Sequence, residues 1–109
     1  TTIEIDGSGD IDLPVKGSKL DTKINGSGDI DLGGEVSKHN IDISGSGDIR
    51  SYELKTDSTK IKISGSGEAR VYVRKYLKVD ISGSGSIYYK GNPKIDQDIS
   101  GSGELIDRN

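Results

Sequence analysis

Apolar residues recur at even spacing around a polar triplet, Gly-Ser-Gly, that the chain repeats six times. The first glycines of successive triplets are 19, 19, 20, 18 and 18 residues apart, at Gly7, Gly26, Gly45, Gly65, Gly83 and Gly101. Isoleucine stands two positions before every triplet, and the positions four before, four after and six after are mostly apolar. The odd positions between them are mostly polar. This alternation is typical of β-strands that bury one face.

The repeat length of 18 to 20 residues predicts a solenoid in which each repeat forms one coil. At about 3.3 Å per residue the coil has a perimeter of roughly 60 Å, and equivalent residues stack about 4.8 Å apart. We therefore predict an all-β fold, a right-handed parallel β-helix (β-solenoid) of about six coils. The alternative is an antiparallel β-sandwich with the triplets as hairpin turns. The parity of the apolar positions, all at even offsets from the first glycine, continues unchanged through each triplet, which disfavours this alternative.

Both glycines of a triplet share the parity of the isoleucines, so we expect both to face the interior. Without side chains there, the strand could bend sharply over a thin core. The connectors between repeats contain turn-forming residues, and they also hold apolar residues such as Val15, Leu20 and Val36 that could close the inner face.

Length and composition indicate a single domain over residues 1–109. Because the chain begins within a repeat, we interpret it as part of a longer solenoid or as a trimmed product. A net charge of -3 provides no basic field, which argues against nucleic acid as a partner. The chain has no cysteine for a disulfide or thiolate site, and no apolar run of membrane-spanning length, so we expect no direct membrane insertion.

Charges alternate in sign over much of the row three positions before the triplets. On adjacent coils these residues are expected to form cross-strand ion pairs that disfavour a slipped register. The alternating part of the row is Glu4, Lys23, Asp42, Lys62 and Asp80.

Catalysis is not indicated by the serines and the single histidine. Six triplet serines in equivalent places with one histidine form a repeat and not a triad, and we predict His39 to be a surface or corner residue. Polysaccharide lyases are β-helices that use acidic residues, calcium and arginine, which draws attention to Asp29, Asp31 and Arg50. Those enzymes are far longer and build a cleft from extended loops, so we predict no enzyme here.

Acidic residues follow most triplets on the outer face. Stacking of the first two coils brings four carboxylates together, at Asp10, Asp12, Asp29 and Asp31. Carboxylates this close repel one another unless they are solvated or bridged by a cation, for which Ca²⁺ is the natural candidate. A solvated acidic stripe that keeps the protein soluble is the favoured alternative.

Tyrosines and arginines share the outer face of the third to fifth coils. Tyr52 and Tyr72 occupy the same offset from their triplets, Tyr88 projects nearby, and Arg50 and Arg70 lie beside them. Exposed tyrosines next to arginines suit contacts with carbohydrate or protein. The favoured alternative is an aromatic ladder that shields the sheet.

The unit Asp42-Ile43-Ser44-Gly45-Ser46-Gly47-Asp48-Ile49 resembles the head GIN domain of putative auto-transporter adhesins, surface proteins common in Bacteroidetes. Every coil carries a version of this unit, with Glu or Ser replacing Asp in the later coils. The resemblance implies a β-helical fold, an extracellular or cell-surface location reached by a signal peptide outside this chain, and an adhesin role. It brings no active-site motif with it.

These observations predict a non-enzymatic, adhesin-like interaction domain that binds a host or neighbouring-cell protein or glycan through an exposed face of the β-helix. The alternative is a structural subunit whose uncapped coils stack end to end into a fibre or homo-oligomer, because open strand edges can pair with other chains.

Overall fold

The computed structural model describes residues 2–108, which form eight β-strands. No helix in this range has the length and hydropathy needed to cross a bilayer. The strands are β1 (Thr2–Gly7), β2 (Asp10–Gly26), β3 (Asp29–Gly45), β4 (Asp48–Gly65), β5 (Glu68–Gly83), β6 (Ser86–Lys90), β7 (Lys94–Gly101) and β8 (Glu104–Asp107).

The strands stack as the coils of one parallel sheet. Their order is β1-β2-β3-β4-β5-β6-β8, and β7 pairs with the second half of β5. The triplets are in register from coil to coil, so that Gly26 lies opposite Gly7 and also opposite Gly45. The predicted β-solenoid of about six coils is confirmed. The antiparallel β-sandwich is wrong, because every strand pair within residues 2–108 is parallel.

The core is a set of stacked aliphatic columns inside the coils. The isoleucine column two positions before the triplets is the most regular, and its four central members are fully buried: Ile24, Ile43, Ile63 and Ile81. Connector residues close the inner face as predicted, with Val15, Leu20 and Val36 all buried. Burial falls at both ends, where Leu13 and Ile95 are each 36% exposed. Stacking of neighbouring coils therefore provides the burial that one coil could not achieve alone.

The two glycines of a triplet have different roles, which corrects the expectation that both face the interior. The second glycine does face inward: a Cβ at Gly47 would lie 2.7 Å from the Cγ2 of Ile24 in the preceding coil. The first glycine is exposed and adopts a positive φ, 115° at Gly45, where a Cβ would lie 2.6 Å from the Gly26 carbonyl oxygen. The first position thus requires glycine for its backbone conformation, and the second for interior space.

The third coil, which is the longest, contains a bulge in β4. Ser51 and Lys55 are successive paired residues on the side facing β5, so residues 52–54 have no partner in that strand. Tyr52 and Glu53 both lie outward of the core, at two consecutive positions. The bulge therefore adds an extra outward side chain to this coil.

His39 is buried, which corrects the prediction of a surface or corner residue. Its side chain is stacked between Leu20 and Thr59 and is 1% exposed. The Nε2 atom lies 3.0 Å from the Oγ1 of Thr22, and the Nδ1 atom has no hydrogen-bond partner. Burial lowers the pKa of His39 to about 4, against a smaller opposing effect of the Asp21 carboxylate.

The alternating row before the triplets stacks in the predicted register, with Lys23 between Glu4 and Asp42. Within residues 2–108, no two oppositely charged groups of this row lie within 4 Å of each other, so the predicted ion pairs do not form. The connectors form the tighter contacts: the Arg74 guanidinium lies 3.0 Å from Asp57 and 3.6 Å from Glu35.

Candidate functional site

The outward residues that follow the triplets form one continuous surface. We call the positions three, five and seven after the first glycine of each triplet the post-triplet face. The first column, three residues after the first glycine, contains Asp10, Asp29, Asp48, Glu68, Ser86 and Glu104. The second column, five residues after it, contains Asp12, Asp31, Arg50, Arg70, Tyr88 and Ile106. The third column, seven residues after it, contains Pro14, Gly33, Tyr52, Tyr72, Lys90 and Arg108. Pairing between successive strands places the residues of the first two columns directly opposite one another.

The first two coils supply the acidic end of this face. Asp10 is paired with Asp29 and Asp12 with Asp31, so the structure brings the four predicted carboxylates together. Asp31 also receives the Arg50 guanidinium at 3.4 Å. Among residues 2–108 there is no group of three or more acidic or histidine side chains arranged to hold a metal ion. Calcium binding here stays a prediction.

Carboxylates continue along the first column into the third and fourth coils. Partial burial and the neighbouring Glu68 and Asp29 carboxylates raise the pKa of Asp48, while Arg70 and Arg50 oppose this effect. The arginines of the second column therefore compensate the acidic column in the third and fourth coils.

The later coils supply a cationic and aromatic end. The Tyr88 ring has the Arg70 guanidinium carbon 5.2 Å from its centroid and that of Arg108 4.8 Å away. Arg70 is also held by Glu68 at 3.3 Å. Contacts of this kind fix long side chains that would otherwise be mobile, and so reduce the entropy lost on binding.

The tyrosines do not form the simple ladder that their equal offsets suggest. Because of the bulge in β4, Tyr72 pairs with Lys55 and not with Tyr52. The Tyr52 ring instead has the Lys90 ammonium 4.6 Å from its centroid. Burial raises the pKa of the Tyr52 phenol, so it is a neutral hydrogen-bonding group at neutral pH.

Lys90 and Arg108 belong to this surface, although the sequence interpretation left them out. A signal for them was present, because both stand seven residues after the first glycine of a triplet, in the column of Tyr52 and Tyr72. The column is difficult to recognise in the sequence, because its members differ in residue type: tyrosine, lysine and arginine.

A groove of about 380 Å³ opens on the post-triplet face beside the bulge. Its lining is Asp12, Asp31, Leu32, Gly33, Arg50, Tyr52, Glu53 and Arg70. Gly33 carries no side chain, and a Cβ placed there would lie 3.5 Å from the Cβ of Glu53. The groove therefore exists because glycine faces a bulged strand. It brings three of the predicted interaction residues, Arg50, Tyr52 and Arg70, to one opening.

One family of known proteins matches most of this chain. The family model described as the head GIN domain of a putative auto-transporter adhesin matches residues 1–93. A search of curated proteins found no match.

Three of the matching solved structures illustrate how far the likeness extends along the chain. A putative lipid binding protein from Parabacteroides distasonis is 32% identical with a TM-score of 0.86, and the alignment covers 99% of this chain and 53% of that one. A putative adhesin from Parabacteroides merdae is 29% identical with a TM-score of 0.85, over 100% and 49% of the two chains. A putative adhesin from P. distasonis is 30% identical with a TM-score of 0.77, over 98% and 51%. The chain thus spans about half the length of these proteins.

Proposed function

Because the chain belongs to the family of head GIN domains of putative auto-transporter adhesins, we propose that it is a surface interaction domain that binds a protein or a glycan through its post-triplet face. The binding residues are Arg50, Tyr52, Arg70, Tyr72 and Tyr88, together with the neighbouring Lys90 and Arg108.

One observation carries this proposal: Tyr88 lies between two guanidinium groups, at 5.2 and 4.8 Å from its ring centroid. Tyrosine and arginine are, with tryptophan, the residue types enriched at energetically important interface positions. Side chains already ordered by mutual contact lose little entropy when a partner binds. The arrangement therefore favours recognition over a purely structural role for these aromatic residues.

The position of the single histidine supports a non-enzymatic role. The triplet serines are exposed, whereas His39 lies in the interior with its Nε2 against Thr22. Its burial removes the single histidine as a base for those hydroxyls. The family description supports a location outside the cytoplasm, at the cell surface or associated with the outer membrane or periplasm.

End-to-end assembly of coils has less support. If two copies of this chain stacked in register, Asp98 would lie opposite Glu4 and Glu104 opposite Asp10, as the column order requires. Like charges directly opposite one another destabilise a strand pair. A fibre would have to overcome this repulsion or adopt another register.

The test is binding of labelled protein to epithelial and bacterial cells by flow cytometry. We expect the double substitution Tyr52→Ala with Tyr88→Ala to reduce binding at least tenfold, since aromatic anchors at an interface contribute about 2 kcal/mol or more. Thermal melts should change little, because both side chains lie outside the core.

Tyr76→Ala is the matched control. Tyr76 is 37% exposed and lies before its triplet, outside the post-triplet face. Its removal should leave cell binding unchanged. Equal binding by the wild type and the double variant would contradict the assignment of the post-triplet face.

A further inference from the structure

We propose that the groove at Gly33 binds a neutral sugar ring of a glycan. This inference rests on the proposed function, since it names the ligand class of the same face. It is carried by the shape of the groove and by the mixture of charges around it.

Four successive strands, β2 to β5, line the groove. Gly33 in β3 lines the groove without a side chain, and the bulge in β4 adds Tyr52 and Glu53 at two consecutive lining positions. The volume of about 380 Å³ lies at the small end of the range for ligand pockets, which is about 300–1,000 Å³. A single sugar ring, or two linked rings partly outside, would fit such an opening.

The polar lining suits hydroxyl groups. Asp31 and Glu53 carry carboxylates, which at neutral pH only accept hydrogen bonds, whereas Arg50 and Arg70 only donate them. A hydroxyl group does both. Adjacent hydroxyls on a sugar ring can therefore donate to a carboxylate and accept from a guanidinium within one site.

The presence of both negative and positive side chains in the groove selects against charged ligands. Three carboxylates line the groove with two guanidinium groups, and one of the guanidiniums already lies 3.4 Å from Asp31. An acidic sugar or peptide would meet the carboxylates, and a basic peptide would meet the arginines. Such unfavourable contacts contribute to specificity as much as the favourable ones do.

Tyr52 supplies the apolar contact that a sugar ring needs. Its phenol is half-buried and is held by the Lys90 ammonium at 4.6 Å from the ring centroid. Aromatic rings offer a large rigid surface together with a polar tip. The C–H face of a pyranose could pack against the ring while its hydroxyls reach the charged groups.

The test uses an array of neutral oligosaccharides with matched sialylated and sulfated versions. We expect the wild-type protein to bind a subset of the neutral glycans, and Gly33→Leu to reduce that binding at least tenfold by filling the groove. Gly33 has ordinary contact space at its Cβ and no positive φ, so the substitution does not strain the backbone.

Gly17→Leu is the control, because Gly17 also lacks a positive φ and has open space around it. It should bind glycans like the wild type. If the circular dichroism of Gly33→Leu differs from that of the wild type, Tyr52→Ala replaces it, with the same tenfold loss expected.

Each remaining outcome overturns the inference. Binding of acidic glycans alone, or neutral-glycan binding that survives both substitutions, would exclude a neutral sugar in this groove. Loss of cell binding on Tyr52→Ala with Tyr88→Ala, but with no neutral glycan bound, would retain the proposed function and reject the sugar. Wild-type protein that binds neither cells nor glycans would reject both.

Discussion

The Nε2 atom of His39 lies 3.0 Å from the Oγ1 of Thr22 inside the coil, and both side chains are almost completely buried. The pair joins β3 to β2 through a polar contact in a largely aliphatic interior. Because Nδ1 has no hydrogen-bond partner, the interior has no acceptor ready for the second proton of an imidazolium. Protonation therefore conflicts with the folded state.

We expect the stability of the protein to fall as the solution is acidified through the range set by His39. Folding lowers the pKa of His39 from 6.5 to about 4, so the unfolded chain binds more protons between these values. The free energy of unfolding should drop by about 2 kcal/mol from about pH 7.5 to about pH 5 through this residue alone. Urea titrations at the two pH values measure the difference.

His39→Leu isolates this effect from the titration of carboxylates. The substitution leaves the Thr22 hydroxyl without its partner, which costs about 1 kcal/mol at neutral pH. The drop in stability between the two pH values should become smaller by about 2 kcal/mol. An identical drop in wild type and variant would show that His39 does not control the acid sensitivity.

Gly47→Val should destabilise the protein by about 3 kcal/mol through overpacking. Its Cβ would lie 2.7 Å from the Cγ2 atom of Ile24, a fully buried side chain, and 3.1 Å from the Gly28 carbonyl oxygen. Ser46→Ala changes the exposed residue next to it and should alter stability by less than about 0.5 kcal/mol. Guanidinium titrations compare the two, and equal midpoints would contradict the inward placement of the second glycine.

Gly45→Ala tests the different role of the first glycine. A φ of 115° and a Cβ position 2.6 Å from the Gly26 carbonyl oxygen combine backbone strain with a clash between coils. We expect a loss of about 3 kcal/mol or more, because each effect alone costs about 1–3 kcal/mol. Gly17→Ala, at an open position with ordinary φ, should be neutral in the same titration.

Calcium at the acidic end is tested by thermal melts with added Ca²⁺ and with a chelator. We expect the two melting temperatures to agree, because Asp31 is already paired with Arg50 and the four carboxylates suit a solvated stripe. A rise with Ca²⁺ that Asp12→Asn with Asp29→Asn removes would establish a calcium site instead. Mg²⁺ serves as the matched cation control, since it prefers smaller octahedral sites.

Most of the fold could be predicted from parity. The isoleucines two residues before each triplet, such as Ile43, fix the inward face, and the constant spacing fixes the stacking. The same parity pointed to the true position of His39, which stands at an even offset from Gly45. The prediction of a surface or corner position for His39 was wrong, because a neutral imidazole can be buried where its position in the repeat requires it. Repeat parity is stronger evidence here, since Leu20 and Thr59 occupy equivalent inward positions.

The details of the candidate site were less accessible. The 20-residue spacing indicates that the third coil is longer than its neighbours. It does not predict that Tyr52 and Glu53 both face outward. Bulge position depends on which register best preserves the buried columns on both neighbouring coils, and this is a property of the stacked structure. The groove at Gly33 depends on that choice and could not be predicted from one coil alone.

The order of the coils also governs how the domain would respond to a pulling force. Each coil is hydrogen-bonded only to the coil before it and the coil after it along the described sheet. Tension applied along the stacking axis at one end would therefore detach coils singly, each releasing 18 to 20 residues. At about 3.3–3.6 Å per residue, each step would lengthen the molecule by roughly 60 Å or slightly more. A domain of this design would dissipate mechanical load in successive small extensions while the remaining coils stay folded.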